Sequence, residues 1–249
     1  MIHKKTITLV VPCRNESGII ADFISRVPKY VDEILIVDNN STDDTARIAR
    51  KAGARVISEK RAIEGIGYGF AHQTGITKAT GDYIVAMDGD DTYPMDKIGT
   101  IIRSMERSHT QFMSCNRLPL MNTKAISKTR QFGIFLLNTL VFILYGYPIR
   151  DILSGMWIAK RETLKELAVT SGDWNFSPEI KLNALTHPRV TFDEYHIDHF
   201  LRAKEPSKQQ IWKTGMQHAL YIVSKRIHQL WGIVRTMLPS TQTKGAYAK

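Results

Sequence analysis

Apolar residues change their spacing repeatedly along the first ninety positions of this chain. Thr6–Val11 is a β-branched, apolar run that ends at Pro12, which lacks the N–H a strand ladder needs. From Ser17 to Tyr30, Ile19, Ile20, Phe23, Ile24 and Val27 recur at helical spacing. Ile34–Val37 is again continuous and is stopped by Asp38-Asn39-Asn40-Ser41. Ser41-Thr42-Asp43-Asp44 offers an N-cap to a helix over Thr45–Ala52 that ends at Gly53, and Arg55–Ile57 reads as a short strand. A glycine-rich stretch, Gly65-Ile66-Gly67-Tyr68-Gly69, leads into a helix over Phe70–Lys78, then to Gly81 and a strand Tyr83–Met87 that closes on Asp88-Gly89-Asp90-Asp91. This alternation predicts an α/β fold, a doubly wound, mostly parallel central sheet with helices on both faces. Ligands of such sheets bind outside the carboxyl ends of the strands, so the polar clusters at 12–16, 38–43 and 88–91 are expected to meet in one crevice.

The second half has a different texture. Phe132–Tyr147 carries no charge; as a helix it covers roughly 24 Å, short of a hydrocarbon core of about 30 Å, so it is either a buried helix or one lying in a bilayer surface. Further on, Trp212, Met216, Leu220, Val223, Ile227, Leu230, Trp231, Val234 and Leu238 mark one face of an amphipathic helix, or of two. Charge separates the same region. The chain of 249 residues has a net charge of +10, of which +7 falls between Pro206 and Lys249, where there is no Asp or Glu. A domain over 1–205 and a basic, amphipathic tail over 206–249 are therefore expected. The tail suits an anionic membrane surface or packing on its own domain. Nucleic acid is disfavoured, because the apolar residues form a continuous face rather than isolated stacking aromatics. Cys13 and Cys115 are the only cysteines, which excludes a disulfide scaffold, and the N-terminal apolar run is too short for an export signal; a reducing, cytoplasmic setting is expected.

Candidate chemistry centres on Asp88 and Asp90, which flank a glycine directly after a strand and can face one hard divalent cation, Mg2+ or Mn2+, together with a diphosphate. A solvated acidic turn has the same composition. An EF-hand is excluded, since Tyr93 and Gly99 stand where that loop needs Gly and Glu. Asp88-Gly89-Asp90-Asp91-Thr92 also has the form of an aspartate-nucleophile phosphatase motif, although such a motif belongs after the first strand of its domain. Gly65, Gly67 and Gly69 lack the spacing and the preceding strand of a dinucleotide fingerprint. The histidines, His196 and His199 included, offer no ligand spacing and read as surface or core residues.

Four segments in order, Pro12-Cys13-Arg14-Asn15-Glu16, Val37 to Thr45, Gly81 to Asp90, and Asp151-Ile152-Leu153-Ser154-Gly155, resemble family 2 glycosyltransferases over roughly residues 6–210. The closest branch looks like the polyprenyl-phosphate sugar transferases such as dolichol-phosphate mannose synthase. The resemblance implies a GT-A fold, a nucleotide-diphosphate-sugar donor, a divalent metal and inversion at the anomeric carbon. It places Pro12, Arg14, Glu16, Asp38, Asn39, Asp88, Gly89 and Asp90 at the donor, with Asp88 and Asp90 at the metal. It also puts Arg117 and Arg130 near phosphates, and Arg202 and Lys208 over the donor diphosphate. Asn39, Asn40 and Thr92 depart from the family's usual residues. Asp151, Ser154, Gly155 and Glu179 fall on the acceptor side.

The acceptor decides the mechanism. A hydroxyl needs a general base, for which Asp151 or Glu179 stands as candidate, whereas a phosphate monoester is already anionic and needs none. The uncharged 132–147 segment and the basic tail favour a polyprenyl phosphate at the membrane surface, approached by a peripherally associated enzyme that is a possible homo-oligomer. A phosphatase, or a membrane-binding module without activity, are the other readings.

Overall fold

The computed structural model describes residues 5–62, 67–201 and 210–237, with side chains of the last helix to residue 231. Strands β1 (Ile7–Cys13), β2 (Glu33–Asp38), β3 (Arg55–Ser58), β4 (Tyr83–Ala86), β5 (Phe112–Asn116), β6 (Trp157–Lys160) and β7 (Phe192–His196) form one sheet in the order β3-β2-β1-β4-β6-β5-β7. All neighbours are parallel except β6, which runs antiparallel to both β4 and β5. Leu9, Val10, Val11, Leu35, Ile36, Val37, Ile84 and Val85 are inaccessible to solvent, as expected of strands covered on both faces.

Alternate side chains of each strand serve opposite layers. Leu9, Val11 and Ile36 pack with α1 (Ile20–Arg26), α2 (Thr45–Lys51) and α4 (Ile98–Arg107), while Val10, Leu35 and Val37 pack with α3 (Tyr68–Lys78), α6 (Arg161–Glu166) and α7 (Phe176–Thr186). The doubly wound architecture expected from the sequence is the one observed.

Some boundaries move for identifiable reasons. β1 continues through Pro12 to Cys13: β4 pairs with it only up to Val10↔Ala86, so Pro12 has no strand on the side toward which its N–H would point, and Cys13 still pairs with Asp38. α1 is shorter than the Ser17–Tyr30 pattern, ending at Val27 before Pro28. α2 opens after Asp43, whose Oδ1 accepts the Thr45 N–H at 3.0 Å. α3 begins at Tyr68, after Gly67 in the left-handed region at φ 66°. A Cβ at Gly67 would lie 2.5 Å from the Arg61 carbonyl, so both the φ and the space require glycine.

α5 (Lys128–Tyr145) starts four residues ahead of the uncharged run. Ser127 Oγ accepts the Arg130 N–H at 3.4 Å, and Gly146, left-handed at φ 76°, ends the helix. Among its described residues the tail forms one helix, α8 (Ile211–Met237), which shares a buried cluster with α5 and α7: Leu137, Val141, Tyr145, Ile149, Ile152, Leu182 and Ile222. Residue 206, where charge sets the start of the tail, lies outside the described residues. α8 docks through Thr214, His218 and Ile222, with Tyr145 Oη donating to the Ile222 carbonyl at 3.0 Å and Lys225 3.9 Å from Glu179. Its apolar stripe points outward: Trp212 is 78% and Leu220 63% exposed, with Met216, Ile227, Leu230 and Trp231 alongside. α5 also turns Phe132, Phe135, Leu136, Phe142 and Ile143 to the outside. Among the described residues no helix is long and apolar enough to cross a membrane.

Candidate active site

At the carboxyl ends of β1 and β4 the sheet opens into a cavity of about 390 Å³. Three turns build its floor. Each contains a non-glycine residue in the left-handed region, Asn15, Asn40 and Asp91, the residue types that adopt it most readily. The first two turns are stitched together: Asn15 N–H donates to Ser41 Oγ at 3.0 Å, Asn15 Oδ1 accepts the Thr42 N–H at 2.8 Å, and Glu16 N–H donates to Thr45 Oγ1 at 2.8 Å. The third is tied to α1 by Arg26–Asp91 at 2.8 Å. Gly89 is required by space, since a Cβ would lie 2.9 Å from Cys13 Sγ.

Pro12, Arg14, Glu16, Asn39, Asp88, Gly89, Asp90, Arg117, Arg130 and Gly155 all line this cavity, so the residues taken from different parts of the sequence do meet. Asp38, Asp151, Ser154 and Glu179 stand behind the wall, all of them buried. Arg202 and Lys208 lie outside the described residues, as do Gly65 and Ile66.

The two floor carboxylates are oriented from opposite sides. Asp90 Oδ1 accepts from Thr92 N–H at 3.2 Å and Thr92 Oγ1 at 2.7 Å, and Asp88 Oδ1 accepts from Tyr68 Oη at 2.9 Å. Tyr68 is itself fixed by stacking on Trp174 at 4.8 Å, and burial raises its hydroxyl pKa well above the usual value, so it remains a donor. Among the described residues no group of three His, Cys, Asp or Glu side chains can hold a metal. Two hard oxygen ligands with room for substrate phosphates nevertheless suit Mg2+ or Mn2+, which are commonly held by one or two carboxylates plus phosphate oxygens. The chemistry of the pair thus fits a metal that arrives with a diphosphate.

A second charged group forms the wall next to them. Arg117, after β5, donates to the fully buried Asp151 through Nε at 2.7 Å, Nη2 at 3.0 Å and the backbone N–H at 3.1 Å. Burial alone would raise the Asp151 carboxyl, but the Arg117 guanidinium overrides it and holds it below the ordinary carboxylate value. Asp151, the first candidate base, is thus engaged by Arg117 and is not among the residues that line the cavity. Glu179, the second, accepts the N–H groups of Thr170 and Ser171, at 3.2 and 2.7 Å, and is not among them either.

Sequence reasoning missed several residues of the wall. Tyr93 donates a surface to the imidazole of His199, ring centroids 5.0 Å apart, and its Oη accepts the Gly155 N–H at 2.7 Å. Trp174, Ser177, His199 and His218 also line it, so His199 is a wall residue rather than a generic core histidine. None follows a spacing rule, because loops, the first turn of α7 and α8 bring them in. The glycines around Tyr68 were one available signal, marking a place where backbone comes close. Lys181, fully buried, had a signal too: a lysine between Ile180 and Leu182.

A parallel sheet with one reversed strand, reading a diphosphate-sized cavity with two floor carboxylates, defines the GT-A class of nucleotide-sugar enzymes. The chain belongs to glycosyl transferase family 2, whose pattern it matches over residues 8–168. Among curated relatives it is similar to an uncharacterized glycosyltransferase of Mycobacterium tuberculosis, 28% identical over 178 residues, or 72% of this chain and 78% of that one. It is also similar to a dolichyl-phosphate hexose transferase of Haloferax volcanii, 26% identical over 187 residues, 74% of this chain and 77% of that one. Among solved structures, glucosyl-3-phosphoglycerate synthase of Mycobacterium tuberculosis, in complex with Mn2+, UDP and phosphoglyceric acid, superposes with a TM-score of 0.68 at 21% identity, covering 89% of this chain and 78% of that one. That likeness establishes the fold. Family membership sets aside the phosphatase reading of Asp88: here the motif follows β4, not the first strand.

Proposed function

We propose that the protein transfers a hexose from a nucleotide diphosphate to a polyprenyl phosphate at a membrane surface. The observation that carries this reading is the state of the two carboxylates considered as bases: Asp151 and Glu179 are both buried and fully engaged, whereas Arg117 and Arg130 line the cavity. An acceptor phosphate needs no base and needs cations to dock on; a guanidinium offers paired donors to phosphate oxygens. In the reaction an acceptor phosphate oxygen bonds to the anomeric carbon while the bond from that carbon to the nucleotide's diphosphate breaks, inverting its configuration, and the electron pair departs with the diphosphate. Arg14, Glu16 and Asn39 would hold the nucleoside, with Asp38 bracing them from behind. Asp88 and Asp90 would hold the divalent metal, which offsets the leaving diphosphate's charge. Arg202 and Lys208 would close over that group, and Ser154 and Gly155 would shape the acceptor side.

The outward apolar faces of α5 and α8 support a lipid acceptor. Ile134 and Leu137 of α5 and Ile211, Thr214 and Gly215 of α8 line the cavity, so the same helices border both the site and the exposed apolar surface. Lys213 is exposed on α8 next to Trp212, where a headgroup region would meet it. A peripheral association with an anionic bilayer follows.

The test is transfer of labelled hexose from a panel of UDP and GDP sugars, with and without Mn2+, to a polyprenyl phosphate, to the corresponding polyprenol and to a soluble phosphoglycerate. Metal-dependent product only with the lipid phosphate is expected. Product with the alcohol or with phosphoglycerate in its place would overturn the acceptor assignment and leave the donor site standing.

A further inference from the structure

The proposed chemistry leaves one buried charge without a use. Lys181 lies on α7 with no solvent exposure, where an ammonium gives up its hydration. Its Nζ donates to two main-chain carbonyls, Ile152 at 2.9 Å and Ser154 at 2.5 Å. Those carbonyls belong to the turn 151–155, which meets the cavity twice. At its start, the Asp151 carboxylate grips the Arg117 guanidinium at 2.7 and 3.0 Å. At its end, Gly155 is bonded through its N–H to Tyr93 and is pressed against Asp88 so closely that a Cβ would lie 2.9 Å from the carboxylate carbon.

We propose that Lys181 is a positioning residue that pins the 151–155 turn and so fixes where Arg117 stands relative to Asp88 across the cavity. The N–H groups of the turn are taken up by side chains, Asp151 by Glu194 Oε1 of β7 at 3.2 Å and Ile152 by Asn138 Oδ1 of α5 at 3.1 Å, while its own internal bond, Ser154 N–H to the Asp151 carbonyl, is 3.4 Å long. Two charge-assisted donors from α7 take the Ile152 and Ser154 carbonyls, on the acceptor side of the same turn. The choice of lysine is explained by the surrounding charges, since Asp151 and Glu194 face it from the turn and from β7, opposite Arg117. The other groups around it, His72 of α3, His218 of α8 and Cys115 of β5, are all held neutral by burial. The two bonds to the Ile152 and Ser154 carbonyls need N–H donors at the end of this side chain, which an apolar residue in its place does not carry.

The catalytic part of this proposal rests on the glycosyl-transfer reading, and the experiment separates the two. Lys181→Met keeps length and removes the donors. Amide exchange of Gly155 is expected to speed up by about ten-fold with the β1 and β4 amides unchanged. In sugar transfer, kcat is expected to fall by about ten-fold with donor KM within about two-fold, because the nucleoside is held by the other turns. Lys181→Arg, if it restores both donors, should recover part of the loss. Unchanged Gly155 exchange and wild-type kcat in Lys181→Met would overturn the proposal, and so would equal losses in donor binding and kcat. Should Lys181→Met not fold, Lys181→Leu, which also removes both donors, is judged by the same outcomes. If the wild-type protein turned over no sugar nucleotide, the exchange measurement alone would decide on the pin, and the functional reading would fall separately.

Discussion

The floor of the cavity and the outer face of α5 and α8 treat polarity in opposite ways. On the floor and directly behind the wall, Asp90, Asp151, Glu179 and Lys181 are buried and each is tied to at least one partner. On the outer face, tryptophan, leucine and phenylalanine stand in the open while Thr214 and His218 make the contact with the domain. α4 shows that this is not a general property of amphipathic helices here: it turns Ile98, Ile101, Ile102 and Met105 into the core. A stripe of apolar residues reports that something covers it, not what. For α4 the cover is the sheet; for α8 it is none of the described residues, and a patch of this kind marks an interaction surface.

If the two regions do separate work, damage to them should separate as well. The largest effect is expected at the floor. Asp151→Ala leaves the Arg117 guanidinium and the Lys181 ammonium without their carboxylate, and loss of one partner of a buried pair costs about 3–5 kcal/mol. Chemical denaturation should show that loss. A change below about 1 kcal/mol would mean that Arg117 finds water in the cavity and that Asp151 is not a brace.

Asp90→Ala is expected to lower metal-dependent transfer by about 10²–10³-fold while leaving the fold and liposome binding as they are. A parallel loss of liposome binding would break the comparison, since it would make the floor and the face one unit.

The next pair of substitutions tests α4 against α8 directly. Ile101→Ala in α4 removes a fully buried side chain and should cost about 2–5 kcal/mol, whereas Leu220→Ala, at a position 63% exposed, should stay within about 0.5 kcal/mol. The opposite ranking belongs to vesicles: with Leu220→Ser and Trp231→Ser together, partitioning onto anionic liposomes should drop by about ten-fold with Tm unchanged, while Ile101→Ala should bind as the wild type does. Leu220→Ala destabilising the free protein as much as Ile101→Ala would show that another part of the chain covers this face.

The same contrast explains what could be read from the sequence. The strand–helix alternation and the three polar turns were legible because a strand buried on both faces must be apolar and must stop where the chain meets solvent or ligand; Val37 before Asp38 and Met87 before Asp88 say so locally. The reversed β6 was not, since four residues, Trp157–Lys160, carry no mark of direction and their partners lie 43 or more positions away. Asp151 was legible as a site residue but not as a brace, because its role depends on Arg117, which only the insertion of β6 beside β5 brings to it. The outward stripe of α8 was visible as a stripe, and its facing was not, because helical spacing carries no information about which side has a neighbour.

The smallest expected effect concerns pH and returns to the floor. Burial pushes the Lys181 ammonium down from 10.5 to about 8, with Asp151 and Glu194 opposing that shift and Arg117 adding to it. Between those two values the unfolded chain holds more protons than the folded one, so stability rises with pH across that window; below about 8 the folded state carries the whole cost of the buried charge. Lys181→Met has no proton to lose there. The stability of the wild type relative to Lys181→Met should therefore climb by about 1–3 kcal/mol between the two pH values, with all other titrating groups cancelling in the difference. Asp151 works in the opposite sense at the acid end: its carboxyl is held low by Arg117, so its contribution is present above the unfolded carboxylate value and is lost as pH falls through the folded one. A flat difference between Lys181→Met and wild type across the alkaline window would mean that water reaches Nζ and that this part of the floor is no drier than the face of α8.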